Sequence, residues 1–167
     1  MKQERTRKIA MCGVLTTLAM IFSYIESIIP IPIPVPGIKL GVANIAIVSV
    51  LYIVGAKEAF VVDVLRITLT ALLFGNLNSF LFSIFGGVLS IVVMIILKKM
   101  RWLSEIGVSV AGGVTHNIGQ IVAAIWIMGS SAIALYLPVL LISGVITGIV
   151  IGIVAGMVIK CLMFLMF

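Results

Sequence analysis

The sequence predicts an all-α fold, an integral membrane bundle of about six transmembrane helices in a single domain over residues 1–167. Two observations carry this prediction. The first is composition: 63% of the residues are hydrophobic and only 10% are charged, whereas soluble domains hold about 45–50% apolar and about 25% charged residues. The second is length, because spans of about 20 residues leave no room for a separate soluble domain. Most stand-alone enzymes are thereby excluded.

Apolar runs interrupted by charged residues, proline or glycine are the predicted spans. They cover residues 9–29, 41–55, 58–75, 79–97, 106–128 and 138–159. The second and third runs are short. A short span either packs inside the bundle or begins in a re-entrant segment, whose backbone must be covered by protein or face a water-filled cavity.

The basic residues predict a multi-pass protein of the cell membrane with both termini in the cytoplasm. With the N-terminus inside, nine of the 11 Lys and Arg residues fall on the inner side, Lys39 falls outside and Arg66 lies within the third run. This is the positive-inside pattern. It accounts for the net charge of +6 without nucleic acid as a partner, because the charges lie between spans rather than on one face. The expected surroundings are membrane lipid.

The fifth run contains the polar residues His116, Asn117 and Gln120. At about 1.5 Å per residue, His116 lies about 15 Å from the inner boundary, near the midplane. Gln120 follows one turn further out on the same face. Polar groups in a bilayer are costly unless paired, so these side chains either contact a bound small molecule or form hydrogen bonds between helices.

The other polar residues of the spans lie mainly in the outer half. Arg66 is about 12 Å from the inner boundary, Asn44 is about 5 Å from the outer edge, and Glu26 is near the outer end of the first run. This distribution predicts a cavity open to the exterior, with Lys39 also in the candidate substrate-binding set. Asp63 and Arg66 are spaced i, i+3, so they form a structural ion pair, or Arg66 binds an anionic phosphate or carboxylate. With one histidine and scattered carboxylates, no metal site is expected.

A proline-rich segment follows the first run. Residues 30–36 alternate proline with aliphatic residues, which favours an extended, polyproline-like strand and excludes a helix. Gly37 allows a sharp return toward the second run. The segment is either a gate over the outer cavity, with Pro34, Pro36 and Gly37 as its predicted residues, or a plain interfacial connector.

The last run carries Gly144, Gly148, Gly152 and Gly156 at a spacing of four. Small residues in such a row let another helix approach closely. The row predicts helix packing within the chain, with a homodimer or partner-subunit contact as the alternative. The sequence contains no evident long repeat, which argues against an inverted-repeat transporter complete in one chain.

Three stretches resemble a known family. They are Pro-Gly-Ile-Lys-Leu-Gly-Val-Ala-Asn-Ile at 36–45, Gly-Gly at 86–87 with Ser90, and Gly-Gly-Val-Thr-His-Asn-Ile-Gly-Gln at 112–120. They resemble the family called heptaprenyl diphosphate synthase component I, or Gx transporters, over nearly the whole chain. That family is in turn similar to the S components of energy-coupling-factor vitamin transporters, six-helix proteins that hold a small molecule near the outer side beneath a loop after the first span.

The resemblance implies an S-component-like membrane transport protein. By similarity, Asn44, Arg66, His116, Asn117 and Gln120 line the pocket. The implied cargo is a flavin (riboflavin, FMN or FAD), with no intrinsic cofactor. Energising transporter subunits or a homodimer are the implied partners.

The family label also implies an enzyme subunit. Prenyl diphosphate synthases need clustered aspartates to hold magnesium against diphosphate. This chain has five acidic residues, and each is isolated in the sequence. We therefore expect no catalysis of prenyl transfer. The predicted function is binding of a small organic solute in an outward-facing cavity and its movement across the bilayer; the alternative is a non-catalytic accessory subunit of polyprenyl diphosphate synthesis.

Overall fold

The computed structural model describes residues 2–28 and 41–166. Over these residues the fold is all-α, as predicted, and it contains no strand. The α-helices are α1 (Lys2–Ile28), α2 (Asn44–Ile53), α3 (Ala56–Phe74), α4 (Leu77–Met100), α5 (Glu105–Met128) and α6 (Leu137–Met166), with a short 3-10 helix at Ser131–Tyr136 before α6. Each predicted span corresponds to one α-helix. Helices α1 and α6 extend beyond their apolar runs, because charged residues such as Arg5 and Lys160 continue a helix without breaking its backbone hydrogen bonds.

Six membrane spans are not confirmed, although the chain is a multi-pass membrane protein. Among the described residues, four helical segments are long and apolar enough to cross a bilayer: Gln3–Ile28, Leu77–Met100, Glu105–Met128 and Ser131–Phe164. Helix α2 has 10 residues, or about 15 Å, half of a hydrocarbon core of about 30 Å. Helix α3 is longer but contains charged residues, including Asp63 and Arg66. The orientation of the termini stays a prediction.

Helix α2 occupies the centre of the bundle. Helices α1, α3, α4, α5 and α6 pack in that order, each against the next, and α2 contacts α1, α3, α5 and α6. Every residue of α2 from Asn44 to Leu51 is buried. The short second run is thus covered by protein, which is the condition for a helix that does not span the bilayer.

The half of the bundle that contains the start of α1 and the end of α6, here the basal half, has an apolar core. Val48 and Leu51 of α2 pack there with residues such as Met94 of α4 and Val108 of α5. Lys98 of α4 donates a hydrogen bond to the Leu51 carbonyl and lies 4.9 Å from the centre of the Tyr52 ring. The C-terminal end of α2 is therefore fixed to α4.

Glycines bring α5 and α6 into close contact. A Cβ atom at Gly148 would lie 2.6 Å from the Val110 Cα, and one at Gly152 would lie 2.7 Å from the Ile106 Cα. Gly144 similarly faces Gly113 of α5. A Cβ at Gly156 would meet nothing within 4 Å. Three glycines of the predicted row therefore lie against a helix of the same chain, and Gly156 lies outside that contact.

Candidate functional site

Polar groups from α1, α2 and α3 meet where α2 begins. The backbone N–H of Gly41 donates to Glu26 Oε1 at 2.6 Å. Asn44, the first residue of α2, accepts at Oδ1 a hydrogen bond from Arg66 Nη2 at 3.1 Å. Gly41 has a φ of +85°, a conformation that glycine adopts readily, and this turns the chain into α2. Asn44 therefore lies about 15 Å from the basal end of α2, whereas Glu26 lies two residues before the end of α1.

Arg66 is paired with Asp63 on the same helix. Arg66 Nη2 lies 2.8 Å and Arg66 Nε 2.9 Å from Asp63 Oδ1, and both residues are buried. The structure thus contains the ion pair expected from the i, i+3 spacing. The guanidinium already has a carboxylate partner, which weakens the alternative that it binds an anionic ligand.

Gly86 and Gly87 of α4 lie between the Asp63–Arg66 ion pair of α3 and the polar residues of α5. A Cβ at Gly87 would lie 2.9 Å from Asp63 Oδ2, and a Cβ at Gly86 would lie 2.9 Å from Gln120 Cγ. Since neighbouring helical residues point about 100° apart, α3 and α5 contact the two sides of α4 at one level. The Gly-Gly pair therefore lets α3 and α5 approach α4 where Asp63 and Gln120 lie. We call the following set of buried polar residues the polar layer: Glu26, Asn44, Asp63, Arg66, Thr70, His116, Asn117 and Gln120.

The three polar residues of α5 are all buried, and they differ in their contacts. Asn117 Nδ2 donates to the Leu140 carbonyl of α6 at 2.6 Å, so it forms a hydrogen bond between helices. Gln120 is 0% exposed, and neither Nε2 nor Oε1 of its carboxamide has a hydrogen-bond partner within the described part of the chain. Leaving a buried polar group unsatisfied costs about 1–3 kcal/mol. Gln120 therefore differs from Asn117, because its carboxamide forms no hydrogen bond to a neighbouring helix among the described residues.

Asp63 Oδ2 and Thr70 Oγ1 are also buried and unpartnered within residues 2–28 and 41–166. Thr70 was not a predicted site residue. It lies one turn beyond Arg66, so Asp63, Arg66 and Thr70 share one buried face of α3 at i, i+3 and i+7. This i, i+3, i+7 spacing is the sequence signal for Thr70 as a site residue. The signal is weak because threonine is common in apolar helices.

The predicted gate residues Pro34, Pro36 and Gly37, together with Lys39, lie outside the described residues. The gate and the outward-facing cavity stay predictions. Three grooves of the described surface lie elsewhere: one of about 420 Å³ between α1 and α6, one of about 420 Å³ between α4 and α5, and one of about 380 Å³ at the α3–α4 turn. None of these three is lined by a residue of the polar layer.

These features define a multi-pass helical membrane protein with a buried layer of polar side chains around a half-length helix. The chain belongs to the family described as heptaprenyl diphosphate synthase component I, whose model matches residues 15–158. The match includes every described residue of the polar layer. The description names one component of a synthase, which implies a second component and agrees with a subunit that is not itself the catalyst. Neither the curated proteins nor the solved structures contain a match to this chain.

Proposed function

We propose that this protein binds a small organic solute at the polar layer and moves it across the bilayer. The observation that carries the proposal is the Gln120 carboxamide, which is fully buried with both of its polar atoms unpartnered among the described residues. A layer that served only to hold helices together would satisfy its members, because a partly satisfied network is less stable than an apolar core. A bound solute supplies the missing partners.

The remaining polar contacts hold the site in place. Arg66 joins α3 to α2 through Asn44, and Asn117 joins α5 to α6. These bonds hold α3, which carries Thr70, against α2, and α5, which carries Gln120, against α6. A binding site needs this kind of support, because the side chains that contact a ligand must be held by their neighbours.

The solute reaches the layer from the end of the bundle opposite the basal half. Apolar packing around Val48, Leu51 and Met94 closes the basal side. Transport therefore requires a rearrangement of the bundle. Energising transporter subunits or a second copy of the chain are the partners we propose for that step. The similarity to S components makes a flavin (riboflavin, FMN or FAD) the first cargo to test.

The test compares ligand binding and stability in Gln120→Leu. Leucine has nearly the volume of glutamine and removes the unpartnered polar atoms, so the protein should stay as stable as the wild type or become more stable. Flavin affinity, measured by fluorescence quenching in purified protein, should fall at least tenfold. Gln3→Leu changes the same residue type at an exposed position of α1 and is the matched control. Loss of stability with unchanged affinity would assign Gln120 a structural role and contradict the proposal.

The family description favours a second candidate, a non-catalytic accessory subunit of polyprenyl diphosphate synthesis. Such a subunit would contact its partner through an exposed helix face. Among the glycines of the α6 row, Gly156 has open space around it. Cross-linking from Gly156→Cys to a second protein, together with a change in synthase activity when this chain is present and no bound solute, would support this candidate.

A further inference from the structure

We infer that the solute is uncharged as a whole and presents to the polar layer an edge with both a hydrogen-bond donor and an acceptor, as an amide or imide does. This inference rests on the proposed function and narrows its substrate class. It separates nucleobase-like or flavin-like rings from their phosphorylated forms.

The charge balance of the layer argues against an anion. The Arg66 guanidinium is bound by Asp63 Oδ1 through two of its nitrogens, at 2.8 and 2.9 Å. A phosphate carries about 1.5 to 2 negative charges at neutral pH. Placed beside Arg66, it would lie close to the Asp63 carboxylate in a region of low dielectric, where like charges repel strongly. The second oxygen, Asp63 Oδ2, is buried without a partner in the described structure, so it accepts from a donor and repels an anion.

The N-terminal end of α2 does not change this balance. The start of a helix carries a partial positive charge of about half a unit, which favours anions. Here the Glu26 carboxylate already accepts the N–H of Gly41 at 2.6 Å, just before α2. An anion at this position would therefore lie beside the Glu26 carboxylate.

The unpartnered polar atoms of the layer indicate which hydrogen-bonding groups the ligand presents. The Gln120 carboxamide has two N–H donors and one carbonyl acceptor, and an amide or imide edge satisfies both kinds of group at once. Thr70 Oγ1 adds a hydroxyl that both donates and accepts. Asp63 Oδ2 adds an acceptor. A neutral ring with adjacent C=O and N–H groups matches this set, whereas a phosphate or carboxylate offers acceptors alone.

The experiment uses full-length protein in nanodiscs of uncharged lipid and three matched pairs of probes. The pairs are riboflavin and FMN, uridine and UMP, and nicotinamide and nicotinic acid. Equilibrium binding should detect the neutral member of at least one pair, with an affinity at least tenfold higher than that of its anionic counterpart. In Asp63→Asn, Arg66 loses its counter-charge, so the preference should fall below about threefold or reverse. Glu105→Gln removes a carboxylate at the start of α5 and should leave the preference unchanged.

Equal or tighter binding of the anionic member in the wild-type protein overturns the inference, as does an unchanged preference in folded Asp63→Asn. If Asp63→Asn does not fold, the double variant Asp63→Asn/Arg66→Gln removes both charges and should keep the preference for the neutral member. If both flavins fail to bind and another neutral probe binds, the flavin cargo is wrong and the inference holds. If no probe binds the wild type, the inference and the proposed solute-binding function both fall.

Discussion

Replacing Gly148 by alanine should force α5 and α6 apart. The new Cβ would lie 2.6 Å from the Val110 Cα and 3.1 Å from the Ser109 carbonyl oxygen, and both are backbone atoms that no side-chain rotation can move. Ordinary carbon contacts are about 3.5–4.0 Å, so the helices must separate by about 1 Å. Overpacking of this kind costs about 1–3 kcal/mol. Alanine also favours helix over glycine by about 1 kcal/mol, which offsets part of this cost.

Gly156→Ala is the matched control because it makes the same chemical change on the same helix. Its Cβ would meet nothing within 4 Å, so only the gain in helix propensity remains. The difference between the two variants isolates the helix contact and should be about 1–3 kcal/mol in the free energy of unfolding. For a chain of this size that is a difference of about 2–12 °C in Tm.

The assay is thermal unfolding of both variants in the same detergent. Gly148→Ala should melt below the wild type and Gly156→Ala at or above it. Equal Tm values for the two variants would mean that α5 and α6 do not approach each other closely at Gly148, and the account of the glycine row would be refuted.

Three further perturbations test the contacts around the polar layer. Asn117→Ala removes a hydrogen bond to a backbone carbonyl of α6 and should lower the free energy of unfolding by about 1 kcal/mol, measured by denaturant titration; no loss would contradict that bond. Arg66→Ala leaves the buried Asp63 carboxylate without its counter-charge and should cost about 3–5 kcal/mol, while the double variant with Asp63→Ala should recover part of the loss in the same titration. Lys98→Met removes the hydrogen bond to the last turn of α2 and should raise amide hydrogen exchange in α2 relative to α5; equal exchange in wild type and variant would contradict the contact.

The helices were predictable because each contains one apolar run, although α1 and α6 continue past the charged residues at the ends of their runs. The path of the second run was not predictable from hydropathy. Residues 41–55 are apolar except for Asn44 and Ser49, yet the helix begins only at Asn44. The hydropathy of a segment indicates that it avoids water. It does not distinguish a segment covered by lipid from one covered by other helices. The burial of α2 from Asn44 to Leu51 is a tertiary property, and hydropathy does not encode it.

The residues of the site were partly predictable, and their pairing was less so. Polar side chains in apolar runs are conspicuous, and the Asp63–Arg66 spacing already allowed an ion pair. The bond from Arg66 to Asn44 joins residues 22 positions apart, and no local pattern encodes such a contact. Thr70 is the clearest example of a site residue that the sequence alone does not identify. Threonine in an apolar helix commonly bonds its own backbone, as Thr68 does with the Val64 carbonyl at 2.9 Å. Thr70 does not have such a bond in the described structure.

The polar layer favours the proposed solute-binding function over the accessory-subunit function. An accessory subunit needs an exposed contact surface, and its interior is as stable or more stable when it is apolar, since well-packed hydrophobic residues often replace a buried ion pair without loss. Here Asp63, Arg66 and Gln120 are instead buried at the centre, and Gly86 and Gly87 lack the side chains that would keep α3 and α5 away from α4 at that level. Unsatisfied polar atoms at Gln120, Thr70 and Asp63 add a further cost to the free protein. A bound solute supplies hydrogen-bond partners to these atoms and so removes this cost in free energy. An accessory subunit that binds no solute keeps the cost. The arrangement therefore favours a protein whose stability depends on what it binds.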